Sequence, residues 1–134
     1  MTEYSRTLPV PDGDTKPYWD AAREHRLVIQ RCRDCQKAIF YPRSVCPHCM
    51  SDRIDWIDAS GRGTIYSYVV VHRAPPAFAD LAPYIVALID LDEGVRLMSN
   101  IVDGARSNVT IGAAVEVMFD DVTTEISLPR FRLV

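Results

Sequence analysis

Four cysteines, Cys32, Cys35, Cys46 and Cys49, are all the cysteines of this 134-residue chain, and their spacing is C-x2-C-x10-C-x2-C. Two cysteines on one tight turn aim both sulfurs at a single point, so two such turns supply a tetrahedral site with metal–sulfur bonds of about 2.3 Å. The expected site is a structural zinc ribbon in which the ion stands in for a core that so short a segment cannot build. The same four thiolates would also hold iron, the less favoured metal. A closed four-thiolate shell has no open position for water or substrate, so no catalytic role is expected of the zinc. A redox Cys-x2-Cys pair is usually single, whereas here there are two.

Between the pairs, Ala38-Ile39-Phe40-Tyr41 is long enough for a short hairpin that Pro42 ends by withholding a donor. Cys46-Pro47-His48-Cys49 carries a turn-setting proline. Glycine often follows the second cysteine of such a knuckle, where the backbone needs positive φ. Gln36 and Met50 hold those places here, which predicts local backbone strain.

The elements that must hold the cysteines follow from pattern. Residues 1–13 read as an arm rich in Pro, Gly and Asp. With Asp14 or Thr15 as N-cap and Pro17 in the first turn, Lys16–Arg26 reads as a short helix, stable only if packed. Leu27-Val28-Ile29-Gln30 leads into Cys32 as a strand, Ile54-Asp55-Trp56-Ile57 forms a connecting strand, and Ser60-Gly61-Arg62-Gly63 marks the boundary turn. Five strands follow, near Thr64–Arg73, Tyr84–Leu91, Val95–Val102, Ala114–Phe119 and Glu125–Leu133. Asp92-Glu93-Gly94 closes a hairpin, and Ala74-Pro75-Pro76 opens a loop of about ten residues. Because some strands are apolar on both faces, a closed five-stranded oligonucleotide/oligosaccharide-binding (OB) barrel is expected. The fold class is therefore mainly β: residues 1–30 as arm and helix, 31–59 as zinc ribbon, 60–134 as OB barrel.

Composition is that of an ordinary globular chain, 48% hydrophobic and 25% charged. No apolar run approaches the roughly 18 residues of a membrane helix. The N-terminal stretch has no basic segment followed by an apolar one, so a cytoplasmic protein without disulfides is expected. The net charge of −3 is uneven. Within residues 23–43, Arg23, Arg26, Arg31, Arg33, Lys37 and Arg43 face only Glu24 and Asp34, six positive charges against two. Part of that excess offsets the −2 of a zinc tetrathiolate, and the remainder is a candidate phosphate-binding patch. Tyr18 and Trp19 beside it are candidates to line a ligand groove.

Catalytic constellations are not in evidence. The three histidines, His25, His48 and His72, fall in the helix, in a knuckle and at a strand end, and no Gly-rich phosphate loop or nucleophile elbow occurs. The acid pairs Asp92-Glu93 and Asp120-Asp121 sit in expected turns. No enzyme activity is expected of the chain on its own.

Five segments in order carry a family resemblance: Gln30-Arg31-Cys32-Arg33-Asp34-Cys35, Tyr41-Pro42-Arg43-Ser44-Val45-Cys46-Pro47-His48-Cys49, Ser60-Gly61-Arg62-Gly63-Thr64-Ile65-Tyr66-Ser67, Glu93-Gly94-Val95-Arg96-Leu97 and Leu128-Pro129-Arg130-Phe131-Arg132. Over nearly its whole length the chain resembles the small acyl-CoA-associated proteins with a helical N-terminus, a rubredoxin-like zinc ribbon and an OB-fold, long catalogued as a domain of unknown function. It departs from them at Gln36, where glycine is common, and at Tyr41-Pro42, where a proline pair is usual. The resemblance implies a non-catalytic accessory subunit of a thiolase, a thiolase-fold aldolase or a hot-dog-fold acyl-CoA hydratase, acting as scaffold or as part of a CoA channel. It leaves open whether the pathway concerns fatty acids, sterol side chains, ketones or isoprenoids.

CoA phosphates would meet the basic segment, from Arg23 to Arg43, and the pantetheine arm would need a neutral groove. The alternative is a single-stranded nucleic-acid binder, since zinc ribbons and OB barrels often serve that purpose. It would need cations and exposed aromatics on the barrel itself, where nine acids outnumber six bases. Tyr66 and Tyr68, two apart on one strand, are its candidate stacking pair.

Overall fold

The computed structural model describes residues 8–102 and 108–134. The first seven residues of the expected arm lie outside that range. Chain organisation begins with Asp12, whose carboxylate accepts N–H bonds from Asp14 (3.0 Å) and Thr15 (2.9 Å) and the Thr15 hydroxyl (3.0 Å). Thr15 itself, at the N-cap, makes no side-chain cap bond, so an aspartate three residues upstream does the work expected of the cap. Helix α1, Lys16–Arg23, buries Tyr18, Ala21 and Ala22. It stops three residues short of the expected end because His25 turns left-handed at φ 60°, while His25 N–H bonds the Ala22 carbonyl and Arg26 N–H that of Ala21. This is a Schellman closure with histidine where glycine is usual.

Strand β1 (Val28–Cys32) pairs antiparallel with β2 (Ala38–Ile39) and with β3 (Ile54–Asp58), in the order β2-β1-β3. The barrel comprises β4 (Arg62–Val71), β5 (Tyr84–Leu91), β6 (Arg96–Val102), β7 (Ala114–Asp121) and β8 (Ser127–Leu133), closed in the order β4-β5-β6-β8-β7. All its pairings are antiparallel except β6 with β8. These are the five strands expected from the sequence, in OB arrangement.

One core runs through barrel and helix. Ile65, Ile85, Ile89, Leu97, Val115 and Phe131 fill the barrel, and Tyr18, Leu27 and Ile29 from the N-terminal part join them. The helix is therefore packed on both the ribbon strand β1 and the barrel strand β8. His25 reinforces the joint: its ring stacks on Phe119 (5.3 Å between centroids) and its Nε2 lies 2.8 Å from Asp121 Oδ1.

The boundary turn has a steric explanation. Gly61 takes φ +79°, and a Cβ there would lie 2.4 Å from Val117 Cγ1; at Gly63 a Cβ would lie 2.4 Å from the carbonyl oxygen of Asp90. The second contact is backbone on a paired strand, which has little room to yield. Gly63→Ala is accordingly expected to lower stability by about 1–3 kcal/mol, read as a lower denaturant midpoint at unchanged slope.

Strand β4 departs from simple alternation. Ile65 pairs with Ile89 but Ser67 with Leu88, so Tyr66 is an extra residue at a β-bulge. Tyr68 consequently packs on the core while Tyr66 stays outside. The two tyrosines expected to share one face do not, and no stacking pair forms.

Candidate metal centre and its surroundings

The two knuckles are built alike. Cys32 N–H bonds the Lys37 carbonyl and Gln36 N–H that of Cys32; Cys46 N–H bonds the Ser51 carbonyl and Met50 N–H that of Cys46. Gln36 and Met50 take φ 65° and 67°, the left-handed conformation expected at those places. Gln36 partly compensates by donating its side-chain amide to the Arg33 carbonyl at 2.7 Å. These turns bring all four sulfurs within 4.8 Å of one another. The Cys32–Cys49 and Cys35–Cys46 pairs, at 3.5 and 3.7 Å, match the separation of about 3.8 Å that a tetrahedron with 2.3 Å bonds requires.

Electrostatics favour a cation at the centre. Backbone N–H groups of Cys35 and then Asp34 pull the Cys32 thiol down to about 7, aided by the Cys49 and Cys35 sulfurs. At Cys49 the Ser51 amide acts in the same sense, but loss of solvent and the sulfurs of Cys32, Cys35 and Cys46 prevail and push it up to about 12. The Cys32 thiolate forms readily, and Cys49 then resists ionising. A dication removes that conflict, so the donor set fits a structural metal ion whose role is to hold the two knuckles together.

Sequence reasoning missed the brace around this centre. Asp34, inside the first knuckle, accepts the Ser51 hydroxyl at 2.5 Å and pairs with Arg53, both just past the second knuckle. Arg33 pairs with Asp55 at 2.7 Å. The available signal was an aspartate between two ligands, which spacing alone does not connect to a partner 17 to 19 residues away.

The eight candidate ligand-binding residues are dispersed. Tyr18 is 7% exposed, in contact with Trp19 and Phe40 in the core, and burial chiefly, with Tyr41 nearby, raises its hydroxyl pKa. Trp19 is half-buried against the same cluster. Arg23 borders a cleft of about 780 Å³ between α1 and the β7–β8 turn, where Lys16 accompanies it and Asp20, Glu24 and Asp121 oppose it. Arg26 pairs with Asp58 at 2.8 Å beside a groove of about 410 Å³ lined by Pro17, Ala21, Val28 and Trp56. Arg33 is neutralised by Asp55. Arg31, Lys37 and Arg43 are exposed, and none has a carboxylate partner among the described residues. The Arg43 N–H donates to the side chain of buried Gln30 at 2.8 Å, which fixes the Pro42-Arg43 step.

One grouping resembles a catalytic triad but cannot act as one. Asp121 accepts from the Ser127 hydroxyl and contacts His25, so the carboxylate sits between the other two and the imidazole does not face the hydroxyl, which is buried. The Ser127 bond, then that of His25, holds the Asp121 carboxyl below its usual value of 3.8. A depressed carboxyl stabilises the fold above its unfolded value and loses that contribution as pH falls through the folded one. The stability gap between the protein and Asp121→Asn should thus be widest near neutrality and narrow below about pH 4, as thermal melts across pH would report.

Fold and centre together define a metal-ribbon protein joined to an OB barrel. Comparison with known proteins makes the class specific. Residues 19–55 match the family described as "ChsH2, rubredoxin-like zinc ribbon domain", and residues 56–120 that described as "ChsH2, C-terminal OB-fold domain". The chain belongs to the ChsH2 zinc-ribbon and OB-fold family. It is 41% identical over 95% of its length to a probable enoyl-CoA hydratase alpha subunit of Thermomonospora curvata, of which it spans 40%. It is 40% identical over 75% of its length to a DUF35 domain-containing scaffold protein of Methanocaldococcus jannaschii, of which it covers 73%. Among solved structures it superposes on a chain described as "Ltp2-ChsH2(DUF35) aldolase" with a TM-score of 0.83 and 41% identity, covering 94% of this chain and 98% of that one. Among the described residues no helix is long and apolar enough to cross a membrane.

Proposed function

We propose that this chain is a non-catalytic accessory subunit that binds a CoA-thioester enzyme and helps hold the acyl-CoA, its ribbon kept folded by zinc. The observation that carries the reading is the match, nearly end to end on both sides, to the chain described as "Ltp2-ChsH2(DUF35) aldolase". Names of the other relatives, a hydratase alpha subunit and a scaffold protein, point the same way. The enzyme partnered is of the thiolase, thiolase-fold aldolase or acyl-CoA hydratase class.

The ligand-binding part of the proposal rests on Arg31, Lys37 and Arg43, cations with no partner carboxylate among the described residues to displace, for the CoA phosphates. The groove beside Trp56 and Val28, where Arg26 and Asp58 neutralise each other, offers the neutral channel that a pantetheine arm needs. Barrel charges argue against single-stranded nucleic acid. Arg96, Arg130 and Arg132 are each paired with an acid, Asp90, Asp120 and Glu116, so these three barrel arginines are not free to track a phosphate backbone.

The test is an affinity capture of the tagged, zinc-loaded protein from its native lysate, with co-purifying proteins identified by mass spectrometry. A stoichiometric acyl-CoA enzyme subunit is the expected result. Recovery of nuclease-sensitive RNA or DNA without such an enzyme would overturn the reading. Metal analysis of the same preparation should return one zinc per chain rather than iron.

A further inference from the structure

The outward face of β4, β5 and β6 departs from what a solvated barrel wall requires. Outward positions in an antiparallel wall are normally polar, because the inward ones already fill the core. Here Leu88 on β5 stands directly opposite Met98 on β6, and Val69 on β4 is paired with Val86, one outward step along β5 from Leu88. Met98 is 70% exposed, Val69 59% and Leu88 36%. Aliphatic side chains in contiguous cross-strand rows form a patch, and patches of this kind mark contact surfaces more often than isolated exposed residues do.

The border of the patch is equally specific. Tyr66, expelled to this side by the bulge in β4, lies under the guanidinium of Arg96, 3.4 Å from ring centroid to Cζ, and Arg96 in turn pairs with Asp90 at 2.6 Å. At the other end Arg130 is held between Asp120 (3.0 Å) and the Asn100 side chain (2.8 Å). Arg96 and Arg130 are both paired within the chain, so at these two ends the border adds a polar edge and no free cation to the apolar centre. That is the anatomy of a protein–protein interface, and Tyr, Arg and Met are the types enriched there. A polyanion would need free cations. In OB barrels the outer face of the second and third strands, here β5 and β6, is also a habitual ligand face, and it is bordered by the loop between the first two strands. In this chain that loop adds the exposed Leu81.

We propose that the β4–β5–β6 face, centred on Val69, Leu88 and Met98, is the docking surface for a heterologous enzyme subunit that presents a matching uncharged apolar patch. This inference rests on the accessory-subunit reading for the identity of its occupant, and on the geometry above for its position. Because the centre carries no charge, association should depend weakly on salt, and substitution should act mainly on the rate of dissociation.

The experiment uses the full zinc-loaded chain and the enzyme subunit recovered with it. Binding is measured by calorimetry for the protein, for Val69→Glu/Met98→Glu, and for Ile111→Glu. Ile111 is as exposed as Met98, but the backbone bonds between Ile65 and both Gly112 and Ala113 place it on the opposite flank of β4. All three substituted residues are solvent-facing, and an unchanged melting temperature confirms folding. The expected result is affinity weakened at least about thirty-fold by Val69→Glu/Met98→Glu and unaltered by Ile111→Glu.

Equal binding by all three would overturn the face and leave the accessory role intact. Failure of the unmodified protein to capture any acyl-CoA enzyme would overturn the role and the proposal with it. A concentration-dependent homodimer abolished by Val69→Glu/Met98→Glu would reassign the face to a second copy of this chain, and binding of a single-stranded oligonucleotide lost in the same variant would reassign it to nucleic acid; either result overturns the proposal.

Discussion

Cys46→Ser, or removal of the metal by a chelator, is expected to unfold the ribbon and to cut the metal content of the purified protein. Among the described residues, the cluster around the sulfurs contains only Ile39 and Ile54 beside Cys32, Cys35 and Cys46. The sheet they support has one strand of two residues and two of five. So small a cluster does not hold the two knuckles together by burial alone, and metal binding, worth about 10–16 kcal/mol in small zinc modules, is expected to supply most of their stability. Cys46 is fully buried, which leaves a serine hydroxyl there both unligated and desolvated. The damage should spread past the ribbon, because Ile29 of β1 belongs to the barrel core. Metal analysis with a thermal melt provides the check: unchanged metal content and melting temperature in Cys46→Ser would refute the assignment.

Phe131→Ala should cost about 3–5 kcal/mol, a large part of the roughly 5–15 kcal/mol that holds a domain of this size together. Phe131 has no exposed surface and is the largest fully buried side chain among the described residues. It lies on β8, opposite Ile101 of β6 in the one parallel pairing and opposite Val117 of β7, at the position where the barrel is closed. A cavity there has strands on both sides that are already paired and cannot collapse inward. Chemical denaturation of the zinc-loaded protein reads the loss directly. A change below about 1 kcal/mol would mean that the barrel repacks around the vacancy.

Much of this architecture was legible before any coordinates. Both knuckles are local objects: two residues between ligands dictate the turn, and the positive φ at Gln36 and Met50 follows from where the ladder bonds must go. Strands β4 to β8 could be read from apolar alternation and from the turns at Gly61, Gly94 and Pro75. Helix α1 was legible as to its start, but its end was not, because a histidine rather than a glycine adopts the left-handed closure. The candidate ligand residues were harder. A run of six cations within 21 residues looked like one patch, yet the fold places Arg23 and Arg26 at two different clefts and gives Arg33 to Asp55.

Sequence by itself determined the metal centre, the number and type of the barrel strands and the family, since each depends on spacing or alternation within a few residues. Tertiary structure alone decided three things. It set Tyr66 and Tyr68 on opposite sides of the wall, through a bulge whose register is a property of two strands and not of one. It joined Asp34 to Arg53 and Arg26 to Asp58, pairs 19 and 32 residues apart. And it gathered Val69, Leu88 and Met98, each unremarked in its own strand, into one outward face. The physical reason is common to all three: which side a residue shows, and whether a charge is free, depends on cross-strand register and on partners distant in sequence, and neither is encoded in the local pattern.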